Sequence, residues 1–158
     1  MASPALPPSN ARYWEDYVPG AVYEYGAITL GKDELIAFAR KYDPQVFHVD
    51  EAAALAGPFG GLIASGWQTG ALVMRLYADH FLTKVASLAS PGLEELRWVR
   101  PFRPGETLSI RVEILETRRS QSKPDRGLIK VLIEGFNQDR ELVIGFKAIN
   151  VIGVRPVA

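Results

Sequence analysis

The segment Tyr42-Asp43-Pro44-Gln45-Val46-Phe47-His48-Val49-Asp50 carries a carboxylate and an imidazole five residues apart. Pro44 prevents a helix from running through it, because the residue before a proline is pushed out of the α region. A bent loop of this length can aim Asp43 and His48 at one small volume. Two such groups can hold a water molecule and move its proton, given approach within ~2.6–3.2 Å of each. Histidine suits that task because its charge changes near neutral pH. The chain has 158 residues, only two histidines and no cysteine, so imidazole chemistry rests on His48 or His80 and thiol chemistry is excluded. The same lack excludes Cys-ligated zinc, iron–sulfur ligation and disulfides.

A second chemical feature is Gly60-Gly61-Leu62-Ile63-Ala64-Ser65-Gly66-Trp67, placed before a long apolar stretch. The first turn of a helix there offers free backbone N–H groups and the positive end of the dipole. Glycine allows a ligand oxygen to approach closely. A carbonyl oxygen gaining negative charge would be stabilised at such a place. Acid–base pair plus oxyanion donor is the equipment for proton chemistry beside a carbonyl. Simpler roles compete. Asp50 suits the N-cap of a short helix over 51–56, and Ser65 that of the long helix. His80 reads as a structural or surface residue.

The elements that position these residues read as follows. Ala21 to Ile28 is a strand. Thr29 is a candidate N-cap for a helix with Asp33 and Glu34 in its first turn and Pro44 as its stop. Residues 43–50 form a loop. A long helix is expected from about Ser65 to Val85, with Trp67, Ala71, Met74, Ala78, Phe81 and Val85 as its buried stripe and Leu72, Val73, Leu76 and Leu82 widening the apolar surface. Strands follow over 93–99, 107–114, 128–136 and 142–152. Leu108, Ile110, Val112 and Ile114 alternate with polar residues, the period of a half-buried strand. Short loops favour antiparallel pairing. The order predicts an α+β layout, one long helix on an antiparallel sheet. Residues 1–12 read as a flexible or surface-draped arm, and 13–158 as one domain.

Lys plus Arg and Asp plus Glu number 18 each, so the formal net charge is zero. That argues against a nucleic-acid groove and a polybasic membrane anchor. The uncharged stretch 52–74 is broken by Pro58, Gln68 and several glycines, unlike a membrane span. No signal peptide is evident, and a cytoplasmic location is expected.

Three segments together resemble a known family. Phe38-Ala39-x-x-Tyr42-Asp43-x-x-x-x-His48-x-Asp50 resembles the hydratase-2 motif of MaoC-like (R)-specific enoyl-CoA hydratases/dehydratases. Phe59-Gly60-x-x-Ile63-Ala64-Ser65-Gly66 is similar to that family's loop before its central helix, and Arg100-Pro101-Phe102-Arg103-Pro104-Gly105-Glu106-Thr107-Leu108 to its following turn and strand. The resemblance implies a hot-dog fold: a single domain whose antiparallel sheet wraps a long central helix, usually as a homodimer or dimer of dimers. It implies addition of water to a trans-2-enoyl-CoA, giving an (R)-3-hydroxyacyl-CoA, or the reverse. Asp43 and His48 are then the catalytic pair, and the Gly66 N–H polarises the thioester carbonyl. Gln45, Asp50 and Ser65 are supporting residues. The acyl-CoA is substrate, no cofactor is implied, and Asp43, His48 and Asp50 have a metal-free use.

Two departures stand out. Pro44-Gln45 replaces the family's usual order, in which Asn stands two residues after the Asp and Pro follows it, so Gln45 is the candidate loop-bracing amide. Ser65 stands where a His is often found. Arg97, Arg100 and Arg103 are candidates for a CoA phosphate as much as ordinary surface charge. The alternatives are a hot-dog acyl-CoA thioesterase and a non-catalytic acyl-CoA-binding subunit.

Overall fold

The computed structural model describes residues 2–158. Five strands form one antiparallel sheet: β1 (Val22–Thr29), β2 (Ser87–Trp98), β3 (Thr107–Arg119), β4 (Arg126–Phe136) and β5 (Leu142–Gly153), in the order β1-β3-β4-β5-β2. The alternation read in the sequence is what orients it. Leu108, Ile110, Val112 and Ile114 of β3 and Ile129, Val131 and Ile133 of β4 are all buried on one face, while their neighbours are more open. Four helices precede β2: α1 (Lys32–Tyr42), α2 (Val46–Val49), α3 (Glu51–Ala56) and α4 (Gly66–Leu76), the last prolonged by a π-helical turn over Tyr77–Phe81. The sheet wraps α4 in a hot-dog fold.

Several expected boundaries shift. Thr29 is still strand, its hydroxyl 2.7 Å from that of Thr107, and Gly31 takes the N-cap position of α1. Residues 46–49, expected as loop, make one helical turn directly after Pro44-Gln45. The long helix ends at Phe81 rather than Val85. β2 begins at Ser87, six residues before the expected start, because the Ser90-Pro91-Gly92 breaker lies inside it. An edge strand tolerates a proline, whose missing N–H can face away from the sheet, and the pairing with β5 skips Ser90 and Pro91.

The buried face of α4 is also not the expected stripe. Trp67, Met74 and Val85 are about half exposed or more. The helix instead buries Gln68, Thr69, Leu72, Val73 and Leu76, nearly half a turn away, then Tyr77 and Phe81. The π turn explains the last step. Leu82 N donates to Tyr77 O at 3.0 Å, an i→i+5 bond that adds a residue to the turn. Phe81 therefore faces the core, and His80 stays outside, stacked on Tyr25 at 5.3 Å.

The arm, over its described residues 2–12, is tied to this end of the fold. Ser3 Oγ accepts from Val22 N, and the Tyr23 hydroxyl donates to Pro4 O. Arg12, only 5% exposed, donates to Pro7 O, His80 O and Phe81 O. It thus satisfies carbonyls left free where the helix ends. A boundary at 12/13 does not separate a free segment from the packed domain.

Candidate active site

Asp43 sits one residue beyond α1, at φ −152 and ψ 68, outside the α region from which Pro44 excludes it. The single turn α2 then carries His48 inward, where it is 4% exposed. Its Nε2 lies 3.2 Å from Asp43 Oδ2. Its Nδ1 lies 2.7 Å from Ile63 O. A carbonyl oxygen only accepts, so Nδ1 carries a proton, and Nε2 is the ring nitrogen that meets Asp43.

Ile63 is held for this purpose from its own side, because its N–H donates to Phe47 O at 3.2 Å. The chain reaches it through Gly60 and Gly61, whose φ values of +65 and +150 only glycine adopts readily. Ala64 N then bonds Phe102 O at 2.7 Å, which pins the extended approach to α4.

Asp43 accepts two further hydrogen bonds. Gln45 Nε2 donates to Oδ1 and Ser65 Oγ to Oδ2, each at 2.7 Å. The Gln45 amide is the main reason its carboxyl sits below the ordinary value, opposed by partial burial and helped by Ser65 and His48. Asp43 is an anion at neutral pH. Ser65 stands at the N-cap position of α4, but its hydroxyl caps nothing there and is spent on Asp43 instead. Asp50 does act as an N-cap, accepting from Ala53 N at 3.0 Å, and points away from the pair.

A depressed carboxyl stabilises the fold fully above its unfolded value, and that contribution is lost as pH falls through its folded value. Gln45→Ala removes the largest cause. The Asp43 titration followed by carboxyl carbon NMR should then move upward, and its contribution to stability at neutral pH should shrink, with the acid loss of that contribution complete at higher pH. An unmoved titration would contradict the role of Gln45.

Asp43, His48 and Gly66 open on one cleft of about 520 Å³, walled by Phe59, Ile63, Trp67, Trp98 and Phe102. Gly66 is the first residue of α4, and among the described residues no hydrogen bond is found for its N–H. Two features of the site have no sequence signal: the Ile63 carbonyl, a backbone group, and Trp98, whose indole lies on Gly66. Arg100 also lines the cleft but pairs with Glu141 at 3.4 Å, Arg103 donates to Phe59 O, and Arg97 lies exposed on β2. Among the described residues no three His, Cys, Asp or Glu side chains are grouped to hold a metal ion.

A carboxylate and an imidazole on either side of a sharp turn thus face the start of a helix enclosed by a hot-dog sheet. The model of the MaoC-like domain matches residues 16–134, and the chain belongs to that family. It is 30% identical over 124 residues to the uncharacterised protein YdeM of Bacillus subtilis, covering 78% of this chain and 86% of YdeM. It is 39% identical over 80 residues to 3-hydroxyacyl-thioester dehydratase Z of Mycobacterium tuberculosis, covering 49% of this chain and 53% of that protein. The crystal structure of the MaoC-like dehydratase from Rhodospirillum rubrum superposes with a TM-score of 0.84 at 35% identity, covering 92% of this chain and 99% of the other.

Proposed function

We propose that the protein is an (R)-specific enoyl-CoA hydratase/3-hydroxyacyl-CoA dehydratase. The observation that carries this is the approach of Asp43 Oδ2 and His48 Nε2 to 3.2 Å on the wall of a cleft that Gly66 also lines. With Nδ1 committed to Ile63 O, Nε2 is the ring atom left to exchange protons with water. A water donating to Asp43 and to neutral His48 would be oriented by both and could lose a proton to either. A thioester carbonyl at the Gly66 N–H brings C3 of a trans-2-enoyl group toward this water. The water oxygen bonds C3 as its proton passes to the Asp43/His48 pair. Electron density moves to the thioester oxygen, where the start of α4 stabilises it. A proton from the pair then reaches C2 on the same face, restoring the carbonyl and the pair. Dehydration is the reverse, and the Mycobacterium relative's name describes a dehydratase of 3-hydroxyacyl thioesters.

The apolar walls of the cleft suit an acyl chain, and Arg100, the basic residue that lines it, is the cation placed to meet the CoA portion. Among the described residues no helix is long and apolar enough to cross a membrane. The proposal places the enzyme in the cytoplasm because CoA thioesters are available there. A hot-dog thioesterase would use the same carbonyl site but release thiol. Adding a thiol-trapping dye to an enoyl-CoA reaction separates the two. Loss of the enoyl absorbance without dye reduction supports hydration, and stoichiometric dye reduction refutes it.

The functional unit is a homodimer in this proposal, with assembly into a dimer of dimers also compatible. The edge strand β2 leaves Leu88, Leu93 and Trp98 about half exposed, and α4 leaves Trp67 and Met74 so. A long apolar edge is ordinarily paired or covered. Light scattering at micromolar concentration should give twice the monomer mass or a multiple of it, and a clean monomer would contradict the proposal.

A further inference from the structure

Gly66 does not need to be glycine for its backbone, since it has ordinary helical geometry within α4. It is glycine because of space. A Cβ placed on it would collide with the Trp98 indole, coming within 2.5 Å of Nε1. The indole lies on the first residue of α4, and its Nε1–H donates to Gly66 O at 2.8 Å. Trp67 braces it edge to face, with ring centroids 5.4 Å apart.

The strand that carries Trp98 is bent to deliver it. The β2–β5 register shifts between Glu94 and Arg97, and Glu95 has φ 56, the left-handed region that a residue with a Cβ seldom adopts. A bulge of this kind re-aims the side chains beyond it. Lys147 holds Glu95 from the neighbouring strand at 2.9 Å. After Trp98 the strand turns away, Val99 N and Arg100 N sharing Val143 O. Trp98 lies opposite Ile144, on the sheet face that holds α4, and lines the cleft with Asp43 and His48.

We propose that Trp98 is the positioning residue of the carbonyl site. By filling the space over Gly66 and binding its carbonyl oxygen, it fixes the first peptides of α4, so that the Gly66 N–H keeps its aim at the thioester carbonyl. It acts through Gly66 and at the thioester end of the substrate, not on the acyl tail. The inference rests on the carbonyl binding at Gly66 in the function proposed above.

The test uses butyryl-CoA, which has no double bond to hydrate, labelled with carbon-13 at its carbonyl. Infrared difference spectra report how strongly that carbonyl is polarised when bound. In the wild type the stretch falls below its free value. Trp98→Phe and Trp98→Ala both move it back toward the free value. Gly66→Ala keeps the backbone N–H but displaces the indole, so it also moves the stretch back, and adding it to Trp98→Ala changes nothing further. Turnover agrees: Trp98→Phe loses about ten- to a hundredfold in kcat, equally for short and long enoyl chains, with KM little changed. A wild-type stretch equal to the free one overturns the Gly66 assignment and this inference with it. A lowered wild-type stretch that Trp98→Ala leaves in place overturns the Trp98 inference alone. A loss confined to one chain length also overturns it, since Trp98 would then be a wall of the acyl pocket.

Discussion

Asp43→Asn and His48→Gln each lower the hydration of a trans-2-enoyl-CoA by about two to four orders of magnitude, the usual worth of a positioned acid or base. In the first variant the new asparagine would still take up space beside Gln45 and Ser65, but its amide can donate to His48 Nε2. That occupies the Nε2 atom that otherwise pairs with Asp43 Oδ2 at 3.2 Å. In the second, the new glutamine can still reach toward Ile63 O, yet it cannot accept and return a proton. The two native side chains act on one water, so the double variant should be little worse than either single one. Steady-state kcat/KM of the three variants, with circular dichroism to show that they fold, checks this. Full activity in either single variant would remove the assigned roles.

Arg12→Ala should cost roughly 3 kcal/mol of folding stability, because hydrogen bonds from a buried charged donor are worth more than neutral ones and unpaired carbonyls remain behind. For a chain of this size that is a fall of roughly 6–12 °C in Tm. The guanidinium joins Pro7 O on the arm to His80 O and Phe81 O at the end of the π turn. The Arg12 carbonyl itself accepts from Thr83 Oγ1, and the Tyr17 hydroxyl also reaches Phe81 O. A lysine has one compact ammonium group and cannot span the same carbonyls, so Arg12→Lys should recover only part of the loss. Urea unfolding measures both variants. A change under ~0.5 kcal/mol for Arg12→Ala, the size of an ordinary surface substitution, would contradict the account.

What the sequence shows and what it hides divide along the range of the interaction. The period-two pattern of β3 and β4 is local, and the structure buries those same residues. Pro44 as a stop and Asp50 as a cap are also local, and both stand where the sequence places them. The face of α4 is different. Apolar residues cover two of its sides, while Gln68 and Thr69 interrupt the side that is buried. Periodicity alone cannot choose between such faces, because the choice is made by the sheet.

The partners of the site residues are long-range as well. Ser65 is spaced as a cap but bonds Asp43, 22 residues earlier. Trp98 reaches Gly66 across 32 residues of sequence, through a bulge that the strand pattern does not announce. The Asp43/His48 pair is legible because proline and a five-residue spacing bring it together within one short segment.

The most direct measurement is the conjugated enoyl absorbance of trans-2-enoyl-CoAs of short and medium chain length, followed with purified protein. The account predicts that the absorbance falls for at least one of them, with (R)-3-hydroxyacyl-CoA as the product and no free thiol. No fall with any of them would contradict it.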